Sequence, residues 1–211
     1  MSYQMVLWDF DGTLADTWAC GLRVINEIAL RHNLPQITDV SAARRLTTRE
    51  FLGKLGISWF KLPMIVREWH AGMKSQMDSV EFYPGIVEVL RSLRDQQRVV
   101  GILSSNSVEN IQIFLRHHQA QDLFQFVESS PRLFGKARAI RRIVKRVSLK
   151  ESAVLYVGDE VRDVQAAAKA GVDCAAVSWG LHEPAFLIQH SPTHLVDRAD
   201  QIPLLAPSPR T

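Results

Sequence analysis

Asp9 and Asp11 are the residues of this sequence whose type and spacing most clearly indicate chemistry. They stand two residues apart, directly after the apolar run Met5–Trp8. Side chains two residues apart on an extended backbone point to the same side, and Gly12 then lets the chain turn. Neighbouring carboxylates repel each other and need a cation or a shared proton. The pattern favours a charged functional site over the alternative, a solvated acidic turn, because the preceding strand is apolar enough to be buried.

Further polar residues follow other apolar runs at comparable positions. They are Ser105 and Asn106 after Val99–Leu103, Lys136 after Phe124–Val127, and Asp159 and Asp163 after Ala153–Val157. Each also has a purely structural explanation, as a helix cap or as an exposed helix charge. Parallel strands, however, bring their carboxyl ends to one edge of the sheet, where α/β proteins bind ligands. Several carboxylates and one lysine at that edge predict a Mg²⁺-binding, phosphate-handling site, because Mg²⁺ prefers oxygen ligands.

The fold class follows from the spacing of the apolar runs. The four runs already named and a fifth, Cys174–Val177, are unbroken, which is typical of parallel strands covered on both faces. Helical patterns connect them, so we predict an α/β fold with a doubly wound parallel sheet. About 90 residues separate the first strand from the second, and residues 15–80 show helical periodicity. We therefore predict an inserted all-α domain at 15–80 and a core domain formed by residues 1–14 and 81–211.

The composition excludes several classes of protein. With 46% hydrophobic and 22% charged residues among 211, the chain is neither disordered nor a disulfide scaffold. Its apolar runs are far shorter than the ~20 residues that a membrane span needs, so no membrane partner is expected. The N-terminus lacks the pattern of a signal peptide. Cys20 and Cys174 are predicted to be reduced, packed thiols, and we expect a cytoplasmic protein.

The net charge of +3 arises from one basic segment. Eight Lys and Arg residues and no acidic residue lie between Arg132 and Lys150, so the rest of the chain is net negative. Apolar residues at helical spacing in this segment predict an amphipathic helix with a basic outer face. A solvated face is the simpler interpretation, and an anion-binding or nucleic-acid-binding patch is the alternative. The basic face at 138–146 has no interleaved aromatic residues for base stacking, so we expect no nucleic-acid partner.

Together these residues resemble the four motifs of the haloacid dehalogenase superfamily. The motifs are Asp9-Phe10-Asp11-Gly12-Thr13, a strand ending in Ser105-Asn106, the single Lys136, and Gly158-Asp159-x-x-x-Asp163, in the family's order over nearly the whole chain. The helical insertion after the first motif is similar to the α-helical cap of one subgroup. Within that subgroup the chain looks most like the phosphoglycolate phosphatases and their relatives, which Pro131-x-x-x-Gly135-Lys136 and Val177-x-Trp179-Gly180 support.

The resemblance implies a catalytic role for each matching residue. Asp9 would attack phosphorus and become an aspartyl-phosphate, and Asp11 would be the general acid and then the general base. The phosphoryl oxygens would be bound by Ser105, Lys136 and the backbone N–H groups near Gly12 and Asn106. Positive charge at this place agrees with the chemistry, because a carboxylate and a phosphate dianion repel each other.

The resemblance also implies a Mg²⁺ cofactor. The ion would be bound by the Asp9 carboxylate, the Asp11 backbone carbonyl and Asp159. Asp163 would complete the metal site from outside, by orienting a metal-bound water or Lys136.

Other activities of the superfamily match less well. Dehalogenases and phosphonate hydrolases lack the second aspartate of the first motif, which is present here as Asp11. Phosphonate hydrolases also need a cap lysine, for which Lys54 is available. Hexose-phosphate mutases carry a histidine early in the cap, where this sequence has Gly21, and a sugar-phosphate mutase is kept as an alternative. A catalytically silent, phosphate-binding regulator is a further alternative, although it would have lost a motif and all four are present.

The substrate implied by the resemblance is a small phosphorylated metabolite, for example a carboxylated one such as 2-phosphoglycolate. The polar cap residues that are candidates for binding it are Arg44, Arg45, Thr47, Thr48, Arg49 and Lys54. Arg49 is preferred, because relatives often place a basic residue near this position, and an exposed helix charge is the alternative for each candidate. The chain is expected to be a monomer or a homodimer.

Overall fold

The computed structural model of the chain describes residues 3–130 and 135–205. Within this part of the chain, the centre of the fold is a six-stranded sheet in which neighbouring strands are parallel. In chain order the strands are β1 Met5–Trp8, β2 Val99–Ser104, β3 Phe126–Ser129, β4 Val154–Gly158, β5 Asp173–Val177 and β6 His194–Val196. Across the sheet the order is β3-β2-β1-β4-β5-β6. The predicted doubly wound α/β fold is confirmed.

Helices cover both faces of this sheet. They are α1 Trp18–Arg31, α2 Val40–Ala43, α3 Thr48–Lys54, α4 Leu62–Lys74, α5 Ile86–Asp95, α6 Val108–His117, α7 Lys136–Arg146, α8 Val161–Ala170 and α9 Pro184–Ile188. Successive side chains of β1 alternate between two apolar clusters. Val6 and Trp8 pack with α5 and α6, whereas Met5 and Leu7 pack with α7 and α8. Burial on both faces explains why the central strands have unbroken apolar sequences.

The predicted bounds of the third strand are wrong, and β6 is not predicted from the sequence. The run Phe124–Val127 begins just after a 3₁₀ helix at Gln121–Leu123, and the strand extends instead through Glu128 and Ser129. Glu128 pairs with arginines of α7, and the Ser129 hydroxyl donates to the backbone carbonyl oxygen of Asn106 at 2.7 Å. Polar residues with such partners extend a strand beyond its apolar run. β6 is a three-residue strand, too short to give a clear apolar pattern.

Four helices, α1 to α4, occupy the segment between β1 and α5 that the sequence predicts to be helical. Ile28 of α1 and Ile65 of α4 are buried, as their periodicity predicts. The chain enters and leaves this segment along adjacent paths, since the backbone N–H of Asp16 donates to the carbonyl oxygen of Glu81 at 2.9 Å. The exact domain limits, 15–80 against 1–14 and 81–211, stay a prediction. We use the word cap for the helical segment formed by α1 to α4.

The basic face of α7 has structural partners. Arg142 and Arg146 pair with Glu128, and Arg141 donates to the carbonyl oxygen of Lys169 at 2.6 Å. Arg132, at the start of the basic segment, lies outside the described residues. These contacts support the interpretation that the basic face of α7 is solvated and has a structural role.

Two further observations bear on the class of protein. Cys20 and Cys174 are buried free thiols. Among the helices in the described ranges, none combines the length and the apolar character required to cross a bilayer.

Candidate active site

Lys136 lies between two buried aspartates at the carboxyl edge of the sheet. Its Nζ is 2.5 Å from Oδ2 of Asp9, which follows β1, and 2.5 Å from Oδ1 of Asp163, in the first turn of α8. The lysine is 3% exposed and the aspartates at most 1%. Burial lowers the pKa of the lysine, but the charges of Asp163 and Asp9 outweigh it and raise this pKa above its ordinary value. The site therefore contains a fixed ammonium charge.

Asp11 has different surroundings from Asp9. Its Oδ1 accepts a hydrogen bond of 3.1 Å from Nδ2 of Asn106, whereas its Oδ2 is buried with no hydrogen-bond partner among the described residues. Burial, and then the negative charge of Asp9, raises the pKa of Asp11 to about 7. Burial also raises the pKa of Asp9, but there the Lys136 ammonium opposes the shift. A pKa of about 7 suits Asp11 to exchange a proton near neutral pH.

Two loops hold Asp159 in place. Its Oδ1 accepts a hydrogen bond from the Thr13 hydroxyl at 2.7 Å, and its Oδ2 accepts one from the backbone N–H of Leu181 at 2.8 Å. Gly180 leaves room for this carboxylate, because a Cβ there would lie 2.2 Å from Cβ of Asp159 and 2.4 Å from the carbonyl oxygen of Gly12. Gly12 has a φ of +71°, and a Cβ on it would lie 2.3 Å from Oδ2 of Asp159. A side chain at either position would displace Asp159, so both positions need glycine.

Asp9, Asp159 and Asp163 form a group whose chemistry fits a divalent cation. Each offers one carboxylate oxygen, and these oxygens lie within 4.8 Å of one another. Burial, and then the neighbouring negative charges, raise the pKa of Asp159 well above its ordinary value. The group thus contains more carboxylates than the single charge of Lys136 balances, and hard oxygen ligands suit Mg²⁺. The carboxylate of Asp11 is outside this group, and its predicted role as a metal ligand through the backbone carbonyl stays a prediction.

Ser105, which follows β2, has a cationic neighbour that the sequence analysis does not select. Nη2 of Arg162 lies 3.3 Å from Oγ of Ser105, and the same nitrogen pairs with Glu160. Nε of Arg162 is buried and has no partner within the described ranges. The sequence offers one indication of this role. Arg162 lies between the two aspartates of the fourth motif, at the start of a helix that begins at the same edge of the sheet.

The cap contacts the core on both sides of this edge. On one side, Arg44 donates to the carbonyl oxygens of Gly180 and Leu181 at 2.8 and 2.7 Å, and Nε2 of His182 lies 3.0 Å from the carbonyl oxygen of Leu46. These contacts attach the cap to the loop that positions Asp159.

On the other side, the contact runs through His70 of α4. Its Nε2 lies 3.0 Å from the carbonyl oxygen of Ser105, and its own carbonyl oxygen accepts a hydrogen bond from Nδ2 of Asn110 at 2.9 Å. Burial lowers the pKa of His70. Neither His70 nor His182 can be recognised from the sequence, because a single histidine far from the motifs gives no signal.

Most of the other cap residues proposed as substrate ligands have protein partners or are exposed. Arg45 pairs with Glu183 at 2.8 Å, and Thr47 caps α3. Arg49 and Lys54 are exposed and are not among the residues that line the cavity between cap and core. The predicted contact of Arg49 with a substrate stays a prediction.

A cavity of about 260 Å³ lies between the cap and the carboxyl edge of the sheet. Asp11, Gly12 and Ser105 line its core end, and Thr48 and Gly21 are among the cap residues that line it. Gly21 offers this cavity no proton-transferring side chain, and its match to the histidine position of the mutases stays a prediction. Pro131 of the Pro131-x-x-x-Gly135-Lys136 pattern lies outside the described residues.

Comparison with known proteins gives a consistent result. Residues 6–177 match the model of the family described as haloacid dehalogenase-like hydrolase. The chain is 31% identical to the phosphoglycolate phosphatase of Synechococcus elongatus over 196 residues, which cover 92% of each protein. It is 24% identical to the pyrophosphatase PpaX of Bacillus cereus over 219 residues, 98% of each. A crystal structure described as a predicted phosphatase from Clostridium acetobutylicum has a TM-score of 0.83 at 20% identity, covering 95% of this chain and 96% of that one.

The resemblance inferred from the four motifs is thus confirmed over most of the chain. The family match and the 31% identity to a relative over nearly its whole length place this chain in the haloacid dehalogenase-like hydrolase family, among its phosphatases.

Proposed function

We propose that this protein is a Mg²⁺-dependent phosphatase that hydrolyses a small phosphomonoester through an aspartyl-phosphate on Asp9. The observation that carries the proposal is the difference between Asp9 and Asp11. Asp9 contacts the ammonium of Lys136, whereas Asp11 has a pKa of about 7 and an unpartnered oxygen at the end of the cavity. One carboxylate is thus equipped as a nucleophile and the other as a proton donor.

The reaction consists of two displacements at phosphorus. In the first, a carboxylate oxygen of Asp9 forms a bond to phosphorus while the bond to the ester oxygen breaks, and Asp11 donates its proton to the departing alcohol. In the second, Asp11 removes a proton from a water molecule, whose oxygen attacks phosphorus and releases Asp9 and inorganic phosphate. One acid–base group serves both steps, because it finishes the first step deprotonated.

Positive groups around Asp9 oppose the repulsion between its carboxylate and the phosphate. Lys136 supplies a fixed charge, and Ser105 with the backbone N–H groups near Gly12 and Asn106 would donate to the phosphoryl oxygens. A Mg²⁺ ion, for which Asp9, the Asp11 backbone carbonyl and Asp159 are the proposed ligands, would add electrostatic stabilisation of the developing charge. Arg162 extends this positive region beside Ser105.

The organic part of the substrate is proposed from a relative and from the size of the site. The name of the relative from Synechococcus makes 2-phosphoglycolate one candidate, and the closed cap favours a small metabolite over a polymer. The cytoplasmic location and the choice between monomer and homodimer remain predictions from the sequence.

Hydrolysis of p-nitrophenyl phosphate tests the proposed reaction. EDTA should abolish release of p-nitrophenol, and added Mg²⁺ should restore it. The metal assignment would be refuted by equal turnover with and without EDTA, and the phosphatase assignment by a lack of turnover on every phosphate ester in the presence of Mg²⁺.

A further inference from the structure

The cavity above the catalytic aspartates has one polar end and apolar walls. Its polar end is formed by the core, where Asp11, Ser105 and Arg162 line it. The walls continue from there into the cap between α1 and α4. The large apolar side chains that line them include Trp18, Leu22, Ile25, Phe51, Ile65 and Trp69.

The cap contributes few polar side chains to this cavity. Among the described residues of the cap, the polar side chains that line it belong to Thr17, Thr48 and His70. Nε2 of His70 contacts the carbonyl oxygen of Ser105, and Thr48 donates to Glu160 at 3.5 Å. His70 and Thr48 are thus directed to the core end of the cavity. The other cap side chains that line it, Thr17 apart, are apolar, and the indole N–H groups of Trp18 and Trp69 are their only polar atoms.

The cations of the cap are not available inside the cavity. Arg44 donates to two backbone carbonyl oxygens, Arg45 pairs with Glu183, and Arg49 and Lys54 lie outside the lining. Within the described ranges, Arg162 is the one cationic side chain that lines the cavity, and it lies beside Ser105 at the phosphate end. A substrate carboxylate in the deeper part would be desolvated without a cationic partner, which is costly.

We propose that the natural substrate is a phosphate monoester whose leaving alcohol is apolar and uncharged, and that its hydrocarbon part lies between α1 and α4. This proposal rests on the proposed phosphatase function and specifies its substrate class. The phosphate occupies the polar end, where Asp9 and Asp11 act on it. The hydrocarbon displaces water from the apolar walls, and each buried methylene raises kcat/KM by roughly fourfold until the space is filled.

A series of straight-chain alkyl phosphates, from methyl to hexyl, tests the proposal with the unmodified enzyme and Mg²⁺. Beyond methyl the leaving alcohols have similar acidity, so a rise in kcat/KM with chain length reports binding in the cavity. We expect butyl phosphate to exceed 2-phosphoglycolate, although the alcohol of glycolate is the better leaving group. A flat series with 2-phosphoglycolate preferred would overturn the inference and leave the phosphatase function standing. A lack of hydrolysis of any ester, p-nitrophenyl phosphate included, would overturn both.

A pair of variants on α1 locates the binding surface. Leu22 lines the cavity, whereas Leu30 of the same helix is 63% exposed and does not. Leu22→Asn should lower kcat/KM for hexyl phosphate by a larger factor than for methyl phosphate, and so flatten the series. Leu30→Asn should leave the series unchanged. A thermal melt of each variant checks folding, and an unflattened series in folded Leu22→Asn would contradict the assignment.

Discussion

Nζ of Lys136 lies 2.5 Å from Oδ2 of Asp9, and both side chains are almost completely buried. The two residues are 127 positions apart in the chain. The contact opposes the effect of burial on the Asp9 carboxylate, and in the proposed reaction it would give the phosphate a positive neighbour. It therefore joins the stability of the fold to the chemistry of the site, and its removal should affect both.

Lys136→Met should reduce stability and turnover together. The substitution keeps most of the side-chain volume but leaves Asp9 and Asp163 buried without their ammonium partner. Breaking a buried ion pair in this way costs about 3–5 kcal/mol. Urea denaturation would measure the loss, and Lys145→Met, at an exposed position on the same helix, is the control. If both variants unfold at the same urea concentration and turn over equally, the pairing has neither role.

Asp11→Asn should affect poor leaving groups most. An alkyl alcohol needs a proton as it departs, whereas p-nitrophenol departs without one, and general acids typically contribute ~10²–10⁴-fold. We therefore expect kcat/KM to fall far more for an alkyl phosphate than for p-nitrophenyl phosphate. This parameter reports the first displacement, so it is insensitive to the loss of the base in the second. Equal losses on the two esters would argue against Asp11 as the acid.

Gly180→Ala should weaken Mg²⁺ binding. A Cβ at this position would lie 2.2 Å from Cβ of Asp159, so the carboxylate or the loop must shift. Gly53→Ala is the matched control, because a Cβ there meets nothing within 4 Å. Titration of thermal stability with Mg²⁺ gives a readout independent of turnover. The Mg²⁺ concentration for half-maximal stabilisation should rise in Gly180→Ala and not in Gly53→Ala. An equal response of the two variants would contradict the assignment of Asp159 as a metal ligand.

The core of the site could be predicted because its residues directly follow apolar strands. Asp9, Ser105 and Asp159 each follow a strand, and the parallel arrangement then brings them to one edge. Lys136 required one further step, since it opens a helix after an edge strand. The strand before it, β3, begins two residues later than its apolar run, just after the 3₁₀ helix Gln121–Leu123. It also ends two residues later, where Glu128 and Ser129 find polar partners.

The contacts between cap and core could not be predicted in the same way. Arg44 has the sequence context of an exposed helix charge, and its backbone acceptors lie 136 and 137 positions further along the chain. His182 and His70 are single residues whose partners are likewise backbone carbonyls of distant segments. A backbone acceptor leaves no mark in the sequence, so long-range contacts of this kind appear only once the chain is folded.

Detection of a phosphoryl group on Asp9 tests the central claim most directly. Asp11→Asn lacks the base of the second displacement, so with p-nitrophenyl phosphate labelled at phosphorus it should accumulate the intermediate. After an acid quench and proteolysis, we expect label on the peptide that contains Asp9, lost on treatment with hydroxylamine, and a burst of p-nitrophenol ahead of phosphate release. Release of p-nitrophenol and phosphate at equal rates, with Asp9 unlabelled throughout, would contradict it.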